Sequence, residues 1–239
     1  MYHIFSTAKR NFLDVLFPMV CFGCGTEGGF LCAECENKIR FIPPSCIGCG
    51  AFVPGIGPVS PGRTCSRCRS RSAIYAFFSP LSFQDATVRE MLHGLKYARI
   101  RDLGEVCARI IMRYIRTQRV LFPKGVLIVP IPLHRSRERT RGFNQSLLLA
   151  TGIGKELGIP VFSDVLLRSR KTPPQTGLDA TSRKSNVLEA FMVLGEERIQ
   201  GKTLLLVDDV KTTGATLEEA ARTLKRAGAK RIWAITIAH

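Results

Sequence analysis

Four Cys-x-x-Cys pairs, Cys21/Cys24, Cys32/Cys35, Cys46/Cys49 and Cys65/Cys68, fall within one short stretch of the chain. They constrain its fold more than any other feature. A two-residue gap lets two thiolates from one turn face one ion, and a tetrahedral Zn²⁺ takes four. Eight such cysteines predict two Cys₄ zinc sites, closed and therefore structural rather than catalytic. Disulfides, a thioredoxin-like redox pair and an iron–sulfur cluster are the rival readings. Disulfides are disfavoured in a cytosolic protein, and a redox pair does not come fourfold. Sequential pairing, 21/24 with 32/35 and 46/49 with 65/68, is simplest, but an interleaved cross-brace fits the spacing as well. Gly and Pro crowd the same region, notably Val53–Gly62, which excludes long helices there. The ninth cysteine, Cys107, sits in a helical apolar pattern and reads as a small buried hydrophobe.

The remainder of the 239 residues is long enough for one substantial domain. The expected organisation is an N-terminal amphipathic helix in 1–20 (Ile4 to Phe17), a Cys-rich module in 21–71 that unfolds alone when a ligand cysteine is lost, and an α/β domain in 72–239. Ala73–Leu81 reads as a strand, and Asp85–Tyr97 and Leu103–Ile115 as amphipathic helices. Gly125–Pro132 is a buried-strand pattern, followed by an Arg-rich loop and a helix from Asn144 to Leu157 capped by Gly158. Val161–Leu167 is a candidate strand, and Arg168–Asn186 a polar loop. Lys202–Val210 strand, Lys211–Ala215 turn, Thr216–Ala227 helix and Arg231–Ala238 strand complete the chain. Strands alternating with helices predict a mostly parallel sheet flanked by helices. No apolar run approaches roughly 18 residues, so no membrane span is expected. Asp14 and Pro18 interrupt the one leader-like stretch, which predicts a cytoplasmic protein.

The segment from Thr203 to Thr216 carries the chemistry. An apolar strand delivers Asp208 and Asp209 at its C-terminal end, where open α/β sheets bind ligands. The turn Val210, Lys211, Thr212, Thr213, Gly214, Ala215, Thr216 then leads into a helix. Thr216 and Glu219 have capping-box spacing, which predicts the helix start at Thr216. Backbone N–H groups of Lys211–Thr216 beside the positive helix end suit a phosphate, while the two acids suit vicinal ribose hydroxyls. The pattern is neither GxxxxGK[ST] nor GxGxxG. The plain alternative is an ordinary strand–turn–helix, but two acids without a task at the end of a buried strand are costly.

Residues 202–228 resemble the phosphoribosyl diphosphate motif of type I phosphoribosyltransferases. More specifically, nearly the whole chain resembles the ComF family of competence-related proteins: the Cys-rich start, Leu95-Lys96-Tyr97, Val129 to His134, Arg141-Gly-Phe-Asn-Gln145, Thr172–Gln175, Arg183, Asn186 and Val207–Thr216 all look like its landmarks. The resemblance implies a type I phosphoribosyltransferase-like α/β sheet flanked by helices, with a small N-terminal double zinc ribbon-like module. It implies Asp208 and Asp209 as the catalytic acids on the ribose, and a second, diphosphate loop at Pro132, Leu133, His134 and Arg135. Arg141 and Lys171 are expected to assist, since Arg matches phosphate geometry. Mg²⁺ would enter with the phosphoribosyl diphosphate, held mainly by the ligand's own oxygens.

Charge narrows the partners further. The chain carries 35 Lys and Arg against 19 Asp and Glu, a formal net charge of +16. Residues 81–150 hold 13 of the basic and 5 of the acidic side chains, so a basic face and a polyanionic partner are expected there. Three functions compete. One is a phosphoribosyltransferase with an unidentified acceptor. Another is a non-catalytic single-stranded DNA-binding protein working with other DNA-uptake proteins. The third is a regulator gated by the diphosphate sugar. The acid pair separates them, because a pure DNA binder has no use for it.

Overall fold

The computed structural model describes residues 18–55, 60–169 and 190–239. The amphipathic helix expected over Ile4 to Phe17 and the polar loop around Lys171 lie outside the described residues. The elements are α1 (Ala33–Lys38), α2 (Ser66–Arg69), β1 (Ile74–Phe78), α3 (Ala86–Lys96), α4 (Leu103–Thr117), β2 (Leu127–Pro130), α5 (Arg135–Arg141), α6 (Gln145–Leu157), β3 (Leu166–Arg168), β4 (Phe191–Val193), β5 (Thr203–Val207), α7 (Ala215–Arg226) and β6 (Arg231–Ile235).

Four strands form one sheet in the order β1-β6-β5-β2, and every neighbouring pair is parallel. Such a sheet is buried on both faces, so its strands read as unbroken apolar runs. Side chains alternate between two cores, as the strand period of two requires. Leu205, Val207 and Trp233 face a core built with α3, α4 and α6. Leu204, Leu206 and Ile232 face a second, closed by α7. Among the described residues no helix is long and apolar enough to cross a membrane.

Local chemistry sets the helix ends. Asp85 Oδ1 accepts from Val88 N–H at 3.1 Å and starts α3. Asn144 Oδ1 accepts from Ser146 N–H at 3.0 Å and starts α6, which Gly158 ends in the left-handed conformation.

Three expectations change. The Arg-rich loop is the helix α5: His134 Nδ1 accepts from Ser136 N–H at 3.2 Å as its cap, and Gly142 at φ 83° ends it. Val161 makes only an isolated bridge to Ile128, and β3 follows it, pairing antiparallel with β4 outside the main sheet. Helix α7 begins at Ala215 with Gly214 as its cap and no side-chain capping bond. Gly214 at φ 80° turns the chain one residue earlier than the capping box predicts, so Thr216 sits within the first turn.

The Cys-rich region is continuous with the sheet. Thr64 N–H donates to Tyr75 O at 2.8 Å and Phe77 N–H to Gly62 O at 3.0 Å, so residues 62–64 cover the β1 edge. Cys21 and Leu31 enter the first core and Ile47 the second.

Candidate functional site

The eight cysteines gather as two quartets in sequential order, Cys21, Cys24, Cys32 and Cys35, then Cys46, Cys49, Cys65 and Cys68. Within each quartet the sulfurs lie within 4.8 Å of one another. Cys24 and Cys32 are 3.7 Å apart, and Cys49 and Cys65 3.8 Å. Zn–S bonds of about 2.3 Å in a tetrahedron place sulfurs about 3.8 Å apart, so the donor sets fit zinc.

The electrostatics agree. Burial opposes ionisation of Cys21 and Cys46, but backbone N–H donors bring both down to about 6. Among those donors are Cys32 N–H to Cys21 Sγ at 3.3 Å and Cys65 N–H to Cys46 Sγ at 3.4 Å. Neighbouring sulfurs, then burial, push Cys35 and Cys68 up to about 12. Four sulfurs at this spacing cannot all ionise without a cation, and a dication supplies that charge. These are two structural zinc sites. Cys107 is fully buried in α4, as its apolar surroundings predict.

The acid pair lies just past the end of β5. Asp208 N–H still donates to Ile235 O, and Ile237 N–H to Asp209 O, each at 3.0 Å, so the sheet holds both backbones. Asp208 Oδ1 accepts from Ser146 Oγ and from Asp209 N–H, each at 2.9 Å. Lys96 Nζ pairs with an Asp209 oxygen at 3.1 Å. Burial, and then the Asp209 charge, push the Asp208 carboxyl up to about 7. One acid is thus clamped by a cation and its neighbour is reluctant to ionise.

Beyond the acids, a shallow cleft is lined by Asp208, Val210, Lys211, Thr212, Gly214, Ala215, Thr216 and Leu217. Lys211 N–H is committed to Ala238 O at 3.0 Å, so the expected cradle narrows to residues 212–216. Leu217 and Ala220 anchor α7 in the second core and fix its N-terminal end against the cleft.

The loop from Pro132 to His134 follows β2, which pairs with β5, so both loops leave the same end of adjacent parallel strands. Arg135 is exposed, whereas Arg137, Arg141 and Arg168 are half-buried. Burial and then the Arg141 charge lower the Arg137 pKa; burial and then Arg137 lower that of Arg168, which also feels Asp208. Arg141 donates to Gln145 Oε1 at 3.0 Å and lies 5.8 Å from the Tyr97 ring centroid.

Residues 144–239 match the family described as phosphoribosyl transferase domain, and residues 12–69 the one described as double zinc ribbon domain. Competence protein F of Haemophilus influenzae is 26% identical over 207 residues, covering 84% of this chain and 87% of that one. Competence protein ComFC of Bacillus subtilis is 28% identical over 207 residues, covering 83% and 79%. DNA utilization protein YhgH of Salmonella typhi is 32% identical over 209 residues, covering 86% and 89%. The chain belongs to the ComF family.

In this ComF chain two of the landmark segments meet at the acid pair. The Leu95-Lys96-Tyr97 segment ends α3 beside Asp209, and Arg141 to Ser146 starts α6 beside Asp208. The sequence marked 95–97 and 141–145 as landmarks but gave Lys96 and Gln145 no task, and it left Ser146 unmarked. Arg168 was expected only as the first residue of a loop, 168–175, beside the diphosphate, and it instead ends the strand β3. His134, suspected from its position, caps α5 through Nδ1.

Proposed function

We propose that this protein binds phosphoribosyl diphosphate with Mg²⁺ at the C-terminal ends of β2 and β5. The 5-phosphate would rest on the turn 212–216 and the ribose hydroxyls on Asp208 and Asp209. The diphosphate would face Pro132 to Arg135 and the guanidinium groups of Arg137, Arg141 and Arg168. One observation carries this reading: an acid pair braced by Lys96 and Ser146 lies between a helix N-terminus and a half-buried arginine cluster. Like charges at close quarters repel, so an anion bound among these guanidinium groups would be favoured. The buried Gln145 Nε2, without a hydrogen-bond partner among the described residues, is a further donor beside Arg141. Mg²⁺ would be held mainly by ligand oxygens, with the acid pair as the protein's hard donors.

A phosphoribosyl transfer would displace diphosphate at C1 of the ribose, with catalysis by positioning and charge stabilisation. The acceptor carries no signature in the chain. The names of its relatives, DNA utilization protein and competence protein, support a link between this activity and the handling of DNA, with the cytoplasm as its proposed setting.

Arg137→Ala with Arg168→Ala tests the division of the site. Titration calorimetry should find affinity for phosphoribosyl diphosphate reduced at least about tenfold, since a charged hydrogen bond is worth about 1.5–3 kcal/mol. Affinity for ribose 5-phosphate should be unchanged. Equal losses for both ligands would place the arginines elsewhere in the site.

A second reading, direct single-stranded DNA binding, is favoured by the excess of basic residues in 81–150. It predicts affinity falling linearly in log–log salt plots, with a slope near the number of phosphates contacted. Replacing the exposed Arg135 and Arg139 by Ala should flatten that slope by about 1–2. Binding that ignores salt, or none at low salt, removes this reading.

A further inference from the structure

The two zinc quartets begin with the same four-residue knuckle, Cys21-Phe22-Gly23-Cys24 and Cys46-Ile47-Gly48-Cys49. Glycine is required at the third place in each, because an added Cβ would lie 2.7 Å from Cys35 Sγ in one and 3.0 Å from Cys68 Sγ in the other. The second place carries an apolar side chain that leaves the module, and here the two knuckles diverge. Phe22 packs into the first core, with its Cζ 3.0 Å from where a Cβ on Gly94 of α3 would sit. Ile47 packs into the second core, with its Cγ1 4.0 Å from the Cβ position of Gly214 in the phosphate turn.

The chain leaving the second quartet reinforces that contact. Arg71 N–H donates to Cys68 O at 3.0 Å, and Arg71 O accepts from Arg222 of α7 at 3.2 Å. Ser72 Oγ and Ala73 N–H both donate to the Glu218 carboxylate, at 2.9 and 2.6 Å. Glu218 stands in the first turn of α7, and its own N–H donates to Gly214 O at 2.9 Å. Within the turn Ala215 N–H donates to Thr213 Oγ1 at 3.4 Å, and the contacts from residues 71–73 add a hold from outside. The first quartet grips a different element: Glu36 pairs with Arg109 at 2.9 Å and Arg113 stacks on Phe41 at 4.8 Å, both along α4.

We propose that the second zinc quartet and the phosphate turn are one thermodynamic unit: metal at Cys46, Cys49, Cys65 and Cys68 raises the affinity of residues 212–216 for a phosphate ester, while metal at the first quartet does not. The ligand named here rests on the function proposed above. When the second metal leaves, Ile47 and residues 71–73 lose their anchor, and an incoming phosphate must itself order the turn. Linkage then requires the reverse effect, with bound ligand holding the second zinc in place.

Zinc loss to a zinc-selective chelator, followed by alkylation and mass spectrometry, reads the two quartets separately. Phosphoribosyl diphosphate with Mg²⁺ should slow loss from the second quartet about tenfold, within the usual range of site-to-site coupling, and leave the first unchanged. Ile47→Ala keeps all eight cysteines and should remove the protection, whereas Phe22→Ala should retain it. A ligand-free arm follows amide exchange of residues 210–219, which should accelerate about tenfold when the second quartet empties and not when the first does. Equal protection of both quartets, or of neither by a ligand that calorimetry finds bound, overturns the proposal. So does exchange in 210–219 that ignores the second metal. If the ligand does not bind at all, the proposed function falls, and accelerated exchange still upholds the coupling.

Discussion

Replacing Asp208 and Asp209 together by Asn is expected to abolish binding of phosphoribosyl diphosphate without unfolding the protein. Each carboxylate would lose a charge-assisted bond to a ribose hydroxyl, worth about 1.5–3 kcal/mol, so the pair accounts for a loss of at least about a hundredfold. The amide side chains keep an oxygen for Ser146 Oγ and for Asp209 N–H, so the local frame survives.

Stability should move the opposite way. Asp208 titrates near 7 when folded, because burial and the Asp209 charge oppose its ionisation, and near its ordinary low value when unfolded. Between those values the folded chain holds a proton that the unfolded chain has released, so stability falls as pH rises through this window and the cost is complete above about 7. Asp208→Asn alone should therefore melt a few degrees above the wild type at pH 8, since 1 kcal/mol is worth about 2–4 °C at this size. The difference should vanish near pH 4. A lower melting temperature at pH 8 would mean that the carboxylate is a net structural asset, against its assignment as a ligand-binding acid.

Removal of zinc is the other large perturbation. Elemental analysis of fully reduced protein, purified without chelators, should find two zinc ions per chain, and iron or less than one zinc would contradict the two Cys₄ sites. Structural zinc contributes on the order of 10 kcal/mol per site near neutral pH, more than a module of this size gains from its core. The metal-free chain should lose its ordered Cys-rich region. The damage should not stop there: Cys21 and Leu31 belong to the first core and Ile47 to the second. Removal of both metals should therefore also lower the melting temperature of the rest of the chain, whereas an unchanged transition would uphold the isolated unfolding expected from the sequence.

What the sequence disclosed depended on how local each feature is. The quartets were legible because ligand spacing is a local rule, but their partnering was not, since sequential and interleaved pairings share the same spacing. The strand, acid pair and turn at 203–216 were legible for the same reason. Their partners were not: Ser146 reaches Asp208 from the first turn of α6, and Lys96 reaches Asp209 from the end of α3. Only tertiary folding brings them together. Helix α5 escaped notice because seven residues carrying four arginines show no apolar periodicity, and its cap is a histidine. The start of α7 was displaced by one residue because Gly214, free to adopt φ 80°, outweighed the Thr216 and Glu219 spacing. A side chain other than glycine would meet a cost of roughly 1–2 kcal/mol there.

Titration calorimetry of the intact, zinc-loaded protein with phosphoribosyl diphosphate, in the presence and absence of Mg²⁺, tests the central claim most directly. One site per chain is expected, with a Kd well below about 1 mM (a binding free energy stronger than about −4.1 kcal/mol) and a clear gain in affinity from Mg²⁺. Absence of binding at millimolar ligand with Mg²⁺ present would contradict it, leaving a phosphoribosyltransferase-like fold put to another use.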